Sequence, residues 1–137
     1  MVTYLDYDTV VAINMEHAGP SAGVRDESGL RSAVGEPAQT FDRRDLYPNV
    51  WAKAAVLVRG IAATQCFHDG NKRTAWLAGQ TFLGMNRIEI RTLPVEFKEV
   101  YIRAAAAGAI DLDLSAGWLK AAATWGSRVG AWLEGNR

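Results

Sequence analysis

Apolar positions along this chain recur three and four residues apart, and almost nowhere do they alternate strictly as in a half-buried strand. Asp6 stands where a helix cap belongs, ahead of Tyr7 to His17 with Val10, Ile13 and Val11 or Asn14 on the inner side. Gly19-Pro20-Ser21-Ala22-Gly23 breaks that helix. Asp26 caps a short second helix through Leu30 and Val34, which Gly35 and Pro37 close. Ala38 to Asp45 reads as a polar connecting loop, and Tyr47-Pro48 as extended, because a residue before proline avoids the helical region.

Asn49 then caps a long helix to about Gln65, with Ala54, Leu57, Val58, Ile61 and Ala62 on one face and Lys53 and Arg59 elsewhere on its surface. A turn from Phe67 to Asn71 leads into a helix from Lys72 to about Met85, marked by Trp76 and Leu83. Arg87 to Arg91 alternates polar and apolar like a brief extended segment. Thr92 and Pro94 start a further helix, and Ala104 to Gly108 ends it. The last helix begins at Asp111 or Asp113 and carries Leu114, Trp118, Trp125, Val129 and Trp132 at intervals of four and seven. With no repeat and no linker, the pattern predicts one all-α domain of about six helices over residues 1–137.

The totals narrow the picture. The chain has 137 residues, enough for one ordinary core, and 49% are apolar, which excludes disorder. Lys plus Arg and Asp plus Glu balance at 15 each, so no bulk field favours nucleic acid or membrane. A single cysteine, Cys66, excludes an internal disulfide and fits a reducing compartment. The first twelve residues carry Asp6 and Asp8 but no Lys or Arg, unlike a signal peptide. No apolar run approaches the roughly 20 residues that cross a bilayer. A cytoplasmic protein is the expectation.

Candidate chemistry sits in Asp69-Gly70-Asn71-Lys72-Arg73-Thr74, between two helical stretches. The first turn of a helix has unpaired N–H groups and the positive end of the dipole, and so attracts phosphate. Gly70 allows a tight turn and close approach to a ligand. Asn71 can cap the helix or donate to an oxyanion. Lys72 and Arg73 add charge where phosphates would lie, and Asp69 supplies the hard oxygen ligand that Mg²⁺ prefers. Taken alone, the same residues also read as ordinary turn chemistry followed by a solvated basic pair. The spacing of a Walker loop is missing.

Phe67-His68-Asp69-Gly70-Asn71-Lys72-Arg73-Thr74-Ala75 resembles the core of the Fic/Doc signature, His-Pro-Phe-x-Asp-Gly-Asn-Lys-Arg-Thr. Upstream, Gly23-Val24-Arg25-Asp26-Glu27-Ser28-Gly29-Leu30, then Ser32-Ala33, and Asp45-Leu46-Tyr47-Pro48, resemble the Doc branch, so the similarity runs from about Gly23 to Leu83. The resemblance implies a helical domain that binds ATP with Mg²⁺ and transfers a phosphoryl or AMP group to a protein hydroxyl. For Doc that protein is elongation factor Tu, so a translation factor is the implied target and an antitoxin protein the implied partner. It implies Asp69 as the metal-binding acid, Gly70 and Asn71 as the anion hole, Lys72 and Arg73 as the phosphate cations, and Phe67 as the buried residue that pins the loop.

Two positions depart from the signature. Gln65 stands where the resemblance places the catalytic histidine, and Cys66 replaces the proline. An amide has no basic lone pair near neutral pH, so Gln65 can orient a hydroxyl but cannot be its general base. His68, in the variable position, is a weak substitute candidate, reaching the site only if the loop turns it inward. Cys66 is a weaker one, lacking an apparent His/Asp partner, and His17 reads as a helix-end residue favoured by the dipole.

Many Fic proteins carry an inhibitory Ser/Thr-x-x-x-Glu-Gly/Asn helix. Here Ser32 to Glu36 is followed by Pro37, and Glu134-Gly135 is preceded by Gly130, so neither segment matches fully. The tryptophan stripe of the last helix reads as core, Ser115 as part of a cap, and Gly126 and Gly130 as sites of close helix approach.

Overall fold

The computed structural model describes residues 1–90 and 93–135, excluding the side chains of residues 126–134. Its six α-helices are α1 (Tyr7–His17), α2 (Glu27–Gly35), α3 (Val50–Thr64), α4 (Asn71–Met85), α5 (Val95–Ala106) and α6 (Leu112–Gly135). The expected all-α class holds. Three of the expected caps form: Asp6 accepts from the Thr9 amide, Asp26 from Gly29 and Asn49 from Ala52, each bond about as long as a normal amide bond requires.

Helix α3 is the axis of the domain and packs against α2, α4, α5 and α6. A helix touched on all sides must be apolar nearly all round. Accordingly Ala52 through Val58, Ile61 and Ala62 are all buried, not a single stripe alone. Each large aliphatic side chain so buried contributes about 1.5–3 kcal/mol. Helix α4 lies close to α3 because Gly79 has no Cβ; one placed there would come within 2.5 Å of Val58 Cγ2.

Several expectations need correcting. Lys53 is not on the surface of α3 but only 1% exposed. Its Nζ donates to the Pro37 carbonyl at 3.2 Å and to Asp45 Oδ2 at 3.1 Å, so burial is compensated by a paired, hydrogen-bonded charge. Those acceptors sit on a 3-10 turn, Glu36–Ala38, and on the hairpin of β1 (Thr40–Phe41) and β2 (Arg44–Asp45) that stands where a loop over 38–45 was expected. Asp42 and Arg43 turn it with positive φ. Residues 88–90 join no strand, and Arg91 lies outside the described residues.

The stripe on α6 is rotated. Ser115, Leu119, Ala122 and Ala123 face the core, whereas Leu114 and Trp125 are exposed. Trp118 lies at the edge of that face and stacks flat on Tyr101, centroids 4.1 Å apart, while Trp76 meets both rings edge-on. The actual cap of α6 is Asp111, which accepts from the Leu114 amide. Ser115 instead shares a 2.7 Å hydrogen bond with the Tyr101 hydroxyl inside the core. The side chains of Gly126, Val129, Gly130, Trp132 and Glu134 lie outside those described.

Candidate phosphate-binding site

The site forms where α3 ends and α4 begins. Gln65 terminates α3 in the left-handed region, φ 51° and ψ 46°. Arg25 Nη2 donates to its carbonyl at 2.6 Å. The next carbonyl, of Cys66, accepts both the Arg25 and Asp26 amides at 2.7 and 3.0 Å. The Cys66 side chain is fully buried beside the Thr64 hydroxyl, 3.0 Å away. It has none of the access that a nucleophile needs, which disposes of that candidate.

From here the chain pairs briefly with the segment after α1. Phe67 forms an antiparallel bridge with Val24, and the His68 amide donates to the Gly23 carbonyl at 2.9 Å. Phe67 is 1% exposed, the pin expected from the sequence. Asn71 then closes the loop: its Oδ1 accepts from the Phe67 amide and its Nδ2 donates to the Phe67 carbonyl, both at 3.0 Å. Asn71 therefore does not cap α4; its amide imitates a strand partner. The residue at the cap position is Gly70, φ 73°, with no side chain to accept the helix's first amides. The N–H groups of the first turn stay available to an incoming anion. A Cβ at Gly70 would come within 2.5 Å of Ala18 Cβ, so both backbone and space demand glycine.

Beneath the loop lies the last turn of α1. Asn14, 0% exposed, donates through Nδ2 to the Asp69 carbonyl at 2.9 Å and to Thr74 Oγ1 at 3.1 Å, and its Oδ1 accepts from the Gly23 amide at 2.9 Å. One side chain thus ties α1 to both loops and to α4. From the sequence Asn14 is only an alternative on an apolar face; the signal for its role is a polar residue among apolar ones, which burial obliges to find partners. Arg73 Nη1 donates to the His17 carbonyl at 2.8 Å, satisfying a helix-end carbonyl that has no partner within α1. Its other N–H groups have no acceptor among the described residues.

Gln65, His68, Asp69, Gly70, Lys72 and Arg73 border one cleft of about 430 Å³, floored by Ala18 and Ala62. Lys72 and Arg73 also border a groove of about 380 Å³ between α4 and α5, lined by Trp76 and Ile102. The binding and proton-handling candidates are therefore brought together. Asp69 Oδ1 accepts the Gly70 amide at 2.8 Å, and the other carboxylate oxygen has no donor among the described residues. Among the described residues no cluster of three metal-ligating side chains exists. One carboxylate beside a phosphate cradle fits Mg²⁺ arriving on a nucleotide, since that ion takes few protein ligands and keeps phosphate and water oxygens. Glu36, from the nearer inhibitory-like segment, hydrogen-bonds the Tyr47 hydroxyl instead of Arg73.

A helical domain whose central helix end and next helix start enclose a cradle of unpaired amides, two cations and one acid is thereby defined. The sequence profile described as the Fic/DOC family matches residues 4–83, reaching upstream of Gly23 to include all of α1. The chain is also 37% identical over 114 residues to Toxin Doc of Mycolicibacterium smegmatis (strain ATCC 700084 / mc(2)155), an alignment covering 82% of this chain and 88% of that protein. The chain belongs to the Fic/DOC family.

Proposed function

We propose that this is a Doc-like toxin-type protein that binds Mg-ATP on the loop from Asp69 to Arg73 and transfers a phosphoryl or AMP group to a hydroxyl of a translation protein, with proton removal weakened by Gln65. The observation that carries the reading is the start of α4: uncapped amides facing a cleft with Lys72, Arg73 and a carboxylate at its rim. Phosphate oxygens would take the amides of the first turn and the two cations. Asp69 would hold the metal, whose charge offsets that developing on the phosphate. An antitoxin protein is the proposed restraint, because Glu36 is engaged by Tyr47 away from the site.

The test is calorimetric titration with ATP, with and without Mg²⁺. Micromolar to millimolar binding that weakens on Arg73→Ala supports the reading, and no binding in either condition removes it. Gln65 favours one alternative, a non-catalytic relative that acts by binding nucleotide or antitoxin. ATP labelled at the α or the γ phosphate separates the two: transfer by the native chain removes the alternative and identifies the group moved.

A further inference from the structure

We infer that Arg25 is a positioning residue for the side chain at 65: its guanidinium holds the left-handed turn that ends α3, and that turn aims the side chain at the cleft. The inference rests on the transfer reading above. Among the described residues, two helices end at or beside a non-glycine residue of positive φ: α3 at Gln65 and α4 at Arg87. At Arg87 the chain closes on itself. The Arg87 amide donates to the Gly84 carbonyl at 3.1 Å and the Ile88 amide to Leu83 at 2.9 Å. At Gln65 no such closure forms, since neither its amide nor that of Cys66 returns a hydrogen bond to α3. A residue with a Cβ stays in the left-handed region only where its surroundings fix it.

Here the surroundings are the segment from Gly23 to Asp26. Its backbone pairs with Cys66 and His68 through three hydrogen bonds of 2.7 to 3.0 Å, which fix the chain beyond residue 65. The Gln65 carbonyl, whose direction follows ψ of that residue, is held among the described residues by Arg25 Nη2 alone, at 2.6 Å. Arg25 has carboxylates adjoining it in sequence but pairs with neither: Asp26 accepts the Gly29 amide and Glu27 pairs with Arg31. Its guanidinium is given to the negative end of α3, where a charge-assisted bond to a helix-end carbonyl is favourable. Gln65 borders the cleft and Arg25 does not. Arg25 therefore acts on an accepting hydroxyl only through residue 65, and it contributes no donor to the phosphate cradle.

The experiment introduces Arg25→Ala and Arg25→Lys into the native, Gln65→His and Gln65→Ala chains. Three quantities are measured on each: label transfer from ATP to proteins of a translation extract, Mg-ATP affinity, and the Cα chemical shift of residue 65, which follows φ and ψ. Arg25→Ala should move that shift out of the left-handed range and leave Mg-ATP affinity within about twofold, because the cradle keeps all its donors. It should slow transfer by the native and Gln65→His chains about 10–100-fold, the order of loss when a reacting group is misplaced by about 1 Å. Arg25→Lys should recover most of that rate, since an ammonium still donates to the carbonyl. In the Gln65→Ala chain, Arg25→Ala should slow transfer no further, because no functional side chain remains to be aimed. A residue-65 shift unchanged by Arg25→Ala overturns the inference. So does an equal loss of rate in the Gln65→Ala chain, which a general loosening of the loop would produce. Should no chain transfer label, or none bind Mg-ATP, the underlying reading falls instead, and the shift still decides whether Arg25 holds the turn.

Discussion

The end of α3 and the start of α4 are joined by six residues, yet they are built on different terms. At the start of α4 nearly every group is committed. Asn14 ties Asp69 and Thr74 to α1, Asn71 braces Phe67, Ala18 fills the space under Gly70, and His17 orients Arg73. At the end of α3 the backbone is committed through the Gln65 and Cys66 carbonyls, while the Gln65 side chain is exposed and has no partner among the described residues. Holding an anion needs many donors fixed at once. Moving a proton needs one group of the right basicity. A fold can therefore preserve the first while the second changes with a single side chain.

The largest effect that would sharpen this contrast is Gln65→His, which should raise label transfer by about 10²–10⁴-fold and leave Mg-ATP affinity within twofold. An affinity that moved with the rate would show the two ends to be one unit. Next comes Arg73→Ala, expected to weaken Mg-ATP binding about 10–100-fold, the loss of a charged hydrogen-bonding partner worth roughly 1.5–3 kcal/mol, read by calorimetry. Asn14→Ala strands three groups in the interior. It should cost about 1–3 kcal/mol of unfolding free energy in a denaturant titration and weaken Mg-ATP binding as well. If it lowered stability alone, α1 would be scaffold and not part of the cradle.

The smallest effect lies away from both ends. Burial pushes the Tyr101 phenol up to about 12, with the Ser115 hydrogen bond opposing. Its folded value exceeds its unfolded one, so its contribution is complete below about pH 10 and is lost as pH rises towards 12. Thermal melts between those values should fall less steeply for Tyr101→Phe than for the native chain.

Most of the fold was legible because it rests on local signals. The caps Asp6, Asp26 and Asn49, the breaks at glycine and proline, and the apolar face of α3 all act within a few residues of themselves. What escaped depends on partners far along the chain. Lys53 reads as a surface cation until Pro37 and Asp45 are folded over it. Ser115 reads as a cap until Tyr101 arrives beside it. On α6 the heptad spacing of tryptophans was real, but small residues let that helix sit close, so Ala122 and Ala123 took the core face and Trp125 was left outside. In the site, residue types and order were legible from Asp69 to Arg73. That Asn71 turns back to Phe67, and that Asn14 supports the loop, depended on contacts between α1, α4 and the segment before α2.

The left-handed backbone of Gln65 has a consequence for how this position can vary. Among residues with a Cβ, Asn, Asp and His enter that conformation several-fold more readily than most, and the side chain here faces solvent. Exchanges at such exposed positions generally alter stability by no more than about 0.5 kcal/mol. Under the proposed function, a lineage could therefore exchange the residue at this position by one codon change without renegotiating the fold. Position 65 is in this sense an unguarded dial on a closely guarded instrument.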